Sequence, residues 1–147
     1  MRRSKHVTLK FLLDTNVFVS AIKDPRKQTG ALRLILYIIG EAGIGLVGND
    51  ILVEEMVRYA ELLRSETAAT LLCALIAKVE IVNVRENYLK ICKSYIETLD
   101  KADILHAATC LQTDAVLISN DQHFNRIRDE GIIRVWSTTE AIKKLLK

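Results

Sequence analysis

Phe11-Leu12-Leu13-Asp14-Thr15-Asn16-Val17 decides how this chain is read. An apolar run that begins at Leu9 stops on a carboxylate, and a helical pattern opens directly behind it. A short buried strand followed at once by a helix is the opening unit of an α/β domain. Ligands in an open parallel sheet bind outside the carboxyl ends of the strands, so Asp14 stands where chemistry is expected. Ala115-Val116-Leu117-Ile118 repeats the pattern and leads into Ser119-Asn120-Asp121.

Outward from these two stretches, strand-like runs at 8–14, 44–48, 79–84, 115–119 and 132–136 alternate with helical ones. Helices are predicted over 16–22, 29–40, 50–64, 66–78, 86–98, 101–112 and 138–146. Short β-branched strands between amphipathic helices imply a mainly parallel sheet. A helical hairpin at 50–78 is inserted between the second and third strands. Asp24-Pro25-Arg26-Lys27-Gln28 reads as a loop and carries the only proline. The Gly40–Gly48 stretch is G-x-x-G-x-G leading into a strand, so it reads as a helix end and turn rather than a dinucleotide fingerprint.

At 147 residues the chain fits one domain, 1–147. Half of its residues are hydrophobic, which argues against long disordered regions. A net charge of +3 permits a polyanionic partner without requiring one. Cys73, Cys92 and Cys110 are far apart and form no C-x-x-C pair, which excludes a zinc-ribbon or thioredoxin-type motif. Isolated thiols, expected to be buried in helices, suit a reducing compartment. The basic start Met1-Arg2-Arg3-Ser4-Lys5-His6 precedes a run too short for a signal-peptide core, and no segment approaches a membrane span. A cytoplasmic protein with no membrane partner is expected.

Four acids are candidates for chemistry: Asp14, Glu55, Asp103 and Asp121. Hard cations such as Mg²⁺ and Mn²⁺ take oxygen ligands, and clustered carboxylates suit them. On the predicted third helix, Leu52, Met56, Tyr59, Ala60 and Leu63 form one apolar arc, and Glu55 falls inside it. A carboxylate there must be paired, protonated or metal-bound. Glu54 falls opposite, beside Glu61, where Arg58 can pair with it. Each acid also has a plain structural reading. Asp14 and Asp121 can cap helices or turns, Asp103 can complete a capping box with Asp100, and Glu55 can bond backbone at a boundary. Asn16 and Ser119 are placed to support the acids, and small residues Ala107 and Cys110 would let the Asp103 helix approach the sheet. His106 is expected to pack on that helix, and His123 to sit in a turn.

In sequence order, Phe11–Val17, Glu54-Glu55-Met56, Asp103-Ile104-Leu105-His106-Ala107-Ala108-Thr109 and Ile118–Phe124 together resemble the PIN domain, a group of metal-dependent ribonucleases. The resemblance spans about residues 8–136, the expected core. It implies a central parallel sheet of about five strands flanked by helices on both faces. It also implies an acidic site of Asp14, Glu55, Asp103 and Asp121, one or two Mg²⁺ or Mn²⁺ ions, and an RNA substrate cut to leave a 5′-phosphate. Many members of this size are VapC-type toxins, which implies an antitoxin partner and a homodimer. A PIN fold acting only as a binding or scaffold module is the alternative. Arg126 and Arg128, with Arg134, Arg2, Arg3 and Lys5, are candidates for phosphate contact.

Overall fold

In the computed structural model, which describes residues 9–23, 29–97 and 100–146, Leu9–Leu13 forms the central strand (β1) of a five-stranded sheet. The flanking strands are Ile44–Gly48 (β2), Glu80–Ile81 (β3), Val116–Ile118 (β4) and Arg134–Trp136 (β5), in the order β3-β2-β1-β4-β5. Every pairing is parallel. Phe11, Leu12 and Leu13 point to alternating faces yet all three are fully buried. Burial on both faces explains an unbroken apolar run where a half-exposed strand would alternate.

The helices are Thr15–Ile22 (α1), Gly30–Gly40 (α2), Asp50–Leu63 (α3), Glu66–Lys78 (α4), Glu86–Lys93 (α5), Lys101–Thr113 (α6), Asn125–Asp129 (α7) and Thr138–Leu145 (α8). From β1 the chain steps one way across the sheet to β2 and β3, then crosses back to β4 and β5 on the other side. Right-handed crossovers then put α1–α4 over one face and α5–α7 over the other. After β5, α8 returns to pack on α2. The α/β class, the parallel sheet and the helices on both faces are as the sequence implied.

The reversal of strand order falls between β1 and β4. That is the switch point at which an open sheet leaves a crevice beyond its strand ends. Register fixes what faces this crevice: Leu13 pairs with Ile118, so Asp14 and Ser119 follow side by side. Helix α6 lies across β1, β2 and β4, with Ala107, Ala108 and Cys110 buried in the contact.

Several expectations need correction. The third strand is two residues long rather than 79–84, because the Gln112 side chain takes the chain away from the sheet. Gln112 Oε1 accepts from Arg85 N at 2.8 Å and its Nε2 donates to Asn83 O at 3.1 Å. Helix α5 ends at Lys93, where Ser94 N and Tyr95 N turn back onto Ile91 O and Cys92 O. A 3-10 turn, Gln122–Phe124, and α7 were not expected; Phe124 and Ile127, three apart and fully buried, are their amphipathic signature. Gly131, at φ 74°, closes α7 with a backbone conformation that favours glycine. Cys92 and Cys110 are buried as expected, but Cys73 is exposed on α4, and Leu63 is exposed rather than part of the α3 arc. The Asp24–Gln28 loop, Thr8 and Thr98-Leu99 lie outside the described residues.

The close seat of α6 can be tested. Ala107→Leu adds three carbons where no exposed surface remains, and should destabilise the fold by about 1–3 kcal/mol in a urea titration.

Candidate active site

Asp14 occupies the N-cap position of α1, but its side chain makes no capping bond. Its Oδ2 instead accepts from Ser119 Oγ at 2.6 Å, across the β1–β4 boundary. The same hydroxyl oxygen accepts from Asp121 N at 3.0 Å, so one serine ties both strand ends together. Asp121 does cap: its Oδ1 accepts from His123 N at 2.9 Å and starts the 3-10 turn. That turn swings the His123 ring back over the acids. His123 Nδ1 lies 2.8 Å from Asp103 Oδ2 and 3.3 Å from Asp121 Oδ1. Asp103 is buried in the first turn of α6, one turn after its N-cap Asp100, whose Oδ1 accepts from Ala102 N.

Glu55 joins from the other side. It is half-buried on α3, and its Oε1 accepts from Thr15 Oγ1 at 2.6 Å and faces His106 Nε2 at 3.4 Å. Thr15 is the residue after Asp14, so Glu55 reaches the edge of the same crevice. The apolar-arc reading of Glu55 therefore resolves as a paired carboxylate rather than one bonded to backbone.

Burial pushes the Asp14 carboxyl up from its ordinary value, against the Ser119 hydroxyl and His106, with Asp121 adding repulsion. Burial also raises Asp103, opposed by the His123 hydrogen bond and reinforced by Asp100, Asp121 and Asp14. Glu55 is lowered, chiefly by the His106 hydrogen bond. His123 is raised by its bond to Asp103 and by Asp121. Among the described residues, no lysine or arginine forms an ion pair with Asp14 or Asp103. Buried charge without a fixed cation is costly, and a divalent cation is the usual remedy.

The donor set fits that remedy. Asp103, Asp121 and His123 each offer a ligand atom, all within 4.8 Å of one another. Asp14 borders the trio closely enough to raise Asp103, and its second oxygen is left by Ser119. Glu55 stands outside the trio. Carboxylates suit Mg²⁺ and Mn²⁺ alike, while an imidazole nitrogen is less at home on Mg²⁺.

His123 is thus more than a turn residue, and His106 more than packing. Sequence reasoning also passed over Thr15 and Asn49. An amphipathic reading could have placed His106 on the Asp103 face, since the two are three apart on α6. Asn16 is exposed in the first turn of α1. Arg126 donates to Ser94 O at 3.2 Å and stacks over Tyr95, while Arg128 pairs with adjacent Asp129. Arg134 donates to Asp114 O at the opposite end of the sheet, away from the acids. Arg2, Arg3 and Lys5 lie outside the described residues.

The sequence profile of the PIN domain matches residues 11–130. This chain belongs to the PIN domain family. Among solved structures it is similar to VapBC2 from Rickettsia felis bound to a DNA fragment from its promoter, with TM-score 0.63 and 16% identity over 88% of this chain and 98% of that one. VapBC-1 from nontypeable Haemophilus influenzae gives TM-score 0.60 and 21% identity over 89% and 99%. FitAcB from Neisseria gonorrhoeae gives 0.58 and 18% over 88% and 98%. At these identities the likeness is one of fold. No curated protein matches the sequence. Among the described residues, no helix is long and apolar enough to cross a membrane.

The raised carboxyls carry a signed consequence. A proton bound more tightly in the folded state stabilises the protein below the ordinary value of 3.8, and that contribution is lost as pH rises through the raised values of Asp14 and Asp103. The His123 contribution is complete below 6.5 and is lost as pH rises through its own raised value. Through His123, metal-free protein should melt lower at pH 8 than at pH 6, and Mn²⁺ should reverse the loss. Asp14→Asn removes one buried charge while keeping an acceptor for Ser119. It should raise the metal-free melting temperature at pH 7 and diminish the Mn²⁺-dependent gain; a lower melting temperature would contradict the buried-charge assignment.

Proposed function

We propose that this chain, acting as a single domain over 1–147, is a metal-dependent endoribonuclease that hydrolyses phosphodiester bonds of RNA. The reading rests above all on one observation: Asp14 and Asp103 are buried acids in one crevice, raised chiefly by burial and further by neighbouring carboxylates, with no lysine or arginine among the described residues paired with them. Family membership supports nuclease chemistry. Asp14, Asp103 and Asp121 would hold Mg²⁺ or Mn²⁺, with His123 able to add a nitrogen ligand and Glu55 acting from the edge.

A bound divalent cation would polarise the phosphate and acidify its water. The chain's own residues prepare that surface. Ser119 holds Asp14 by Oδ2, so Oδ1 would be the oxygen offered to a metal. Thr15 and His106 hold Glu55 by Oε1, so Oε2 is the oxygen that can receive a water proton. The 3-10 turn fixes Asp121 by its own backbone, since Oδ1 accepts from His123 N. Arg126 and Arg128, exposed just beyond Asp121, are proposed as secondary phosphate contacts. Arg126 is partly committed to the Ser94 carbonyl and Tyr95, so its share is expected to be small.

The partner and setting are suggested by solved structures of similar fold, among them VapBC and FitAB assemblies, two of which are bound to DNA. A toxin of a toxin–antitoxin pair, with an antitoxin protein covering the acidic crevice, a homodimeric state and a cytoplasmic setting, is the role proposed on that basis.

Cleavage of end-labelled single-stranded RNA tests the reading. Wild type with Mn²⁺ should produce fragments carrying 5′-phosphates, EDTA should stop it, and Asp14→Asn and Asp103→Asn should each fall to background. Binding of RNA without cleavage by any metal-loaded preparation would instead favour the binding-module alternative.

A further inference from the structure

Behind Glu55 lies a buried polar network of which the catalytic reading uses only His106. Asn49, His106 and Thr109 are all almost wholly buried, and they join α3 to α6. Asn49 is the N-cap of α3, and its Oδ1 accepts from Leu52 N at 2.9 Å. That bond sets the amide orientation and turns Nδ2 toward α6. There Nδ2 donates to Thr109 Oγ1 at 3.0 Å and lies 3.1 Å from His106 Nδ1. The Thr109 hydroxyl hydrogen is already directed to Leu105 O at 2.8 Å, so Thr109 can only accept from Asn49. A flipped Asn49 would set NH₂ against the Leu52 N–H and an oxygen against an acceptor. The amide therefore has one arrangement.

With two hydrogens on Asn49 Nδ2, one goes to Thr109 and the other to His106. Nδ1 of His106 is then an acceptor, and the ring hydrogen sits on Nε2. Nε2 is the nitrogen that faces Glu55 Oε1. A hydrogen on Nδ1 would instead confront the Asn49 NH₂ group and leave Nε2 with a lone pair against a carboxylate.

We propose that Asn49 is a positioning residue for the acidic site: by fixing the Nε2–H form of His106 it sets the hold on Glu55. Both ends of the network carry site acids. Glu55 lies on the helix that Asn49 caps, and Asp103 lies one turn before His106 on α6. The network thus couples the placement of Glu55 to the helix of Asp103 through one sequence of donors and acceptors. The role assigned to Glu55 rests on the metal-dependent nuclease reading; the tautomer assignment does not.

The test uses the full chain, labelled with ¹³C and ¹⁵N and metal-free, with long-range ¹H–¹⁵N correlation spectra of the histidine rings. Wild type should show His106 with an unprotonated Nδ1 and a protonated Nε2. Asn49→Asp keeps a good helix cap but replaces the donor with an acceptor. It should place a hydrogen on His106 Nδ1, shift the Glu55 carboxyl ¹³C signal, and weaken Mn²⁺ binding by about 10-fold in calorimetry, the low end for partners of metal ligands, because Glu55 acts from the edge of the site. Asn49→Ser also caps but does not reach His106; it should give a mixed tautomer and a smaller loss. His106→Gln offers both an acceptor and a donor, and should retain more Mn²⁺ affinity than His106→Leu.

A wild-type His106 protonated on Nδ1 would overturn the proposal. So would an Asn49→Asp protein that folds and reverses the tautomer without moving the Glu55 signal. If the spectra behave as expected while wild type binds no Mn²⁺ and cuts no RNA, the nuclease reading fails and the hold of Asn49 on Glu55 stands.

Discussion

The hydrogen bond from Ser119 to Asp14 is the contact on which the site depends. It joins the ends of two neighbouring strands that the chain visits more than a hundred residues apart, where strand order reverses and helices leave toward opposite faces. Parallel register alone puts the two residues side by side, but the bond decides what Asp14 does. An aspartate in that position would ordinarily cap the following helix. Held by Ser119, it leaves the first turn of α1 without a side-chain cap and keeps its carboxylate in the crevice. The same serine oxygen receives the backbone of Asp121, so the second strand end is fixed by the atom that fixes the first.

From this seat the charge balance follows. Asp14, Asp103 and Asp121 crowd one crevice, and burial outweighs the hydrogen bonds that favour ionisation of the first two. His123, half-exposed on the 3-10 turn, is the one titratable cation set against Asp103 and Asp121 among the described residues. A proton on His123 and a divalent metal are thus alternative partners for the same oxygens. Glu55 is different in kind: its carboxyl is lowered and its Oε1 is held by Thr15 and His106, so it contributes a settled negative edge.

Much of this was legible in the chain because it depended on local pattern. The buried strand at Phe11–Leu13 could be read from its unbroken apolar run, and the close approach of α6 from Ala107 and Cys110. Glu55 stood out because an acid on an apolar stripe must find a partner, although which partner it finds was not local information. What escaped depended on contacts distant in sequence. His123 meets Asp103 only because a short turn, stabilised by Phe124 and Ile127 in the core, reverses the chain. Thr15 and His106 meet at Glu55 from residues 40 and 51 positions away, and no spacing rule announces such a meeting. The short third strand failed for a similar reason. Its residues carry strand propensity, but a glutamine side chain on α6 claims the backbone that would have extended it.

Crystals soaked in Mn²⁺ and measured for anomalous scattering would test the central claim most directly. The expected result is an anomalous peak bounded by the carboxylates of Asp14, Asp103 and Asp121, with Ser119 still on Asp14 Oδ2. A well-ordered crevice with no such peak at millimolar Mn²⁺, or with the metal bound elsewhere and these acids unchanged, would contradict it.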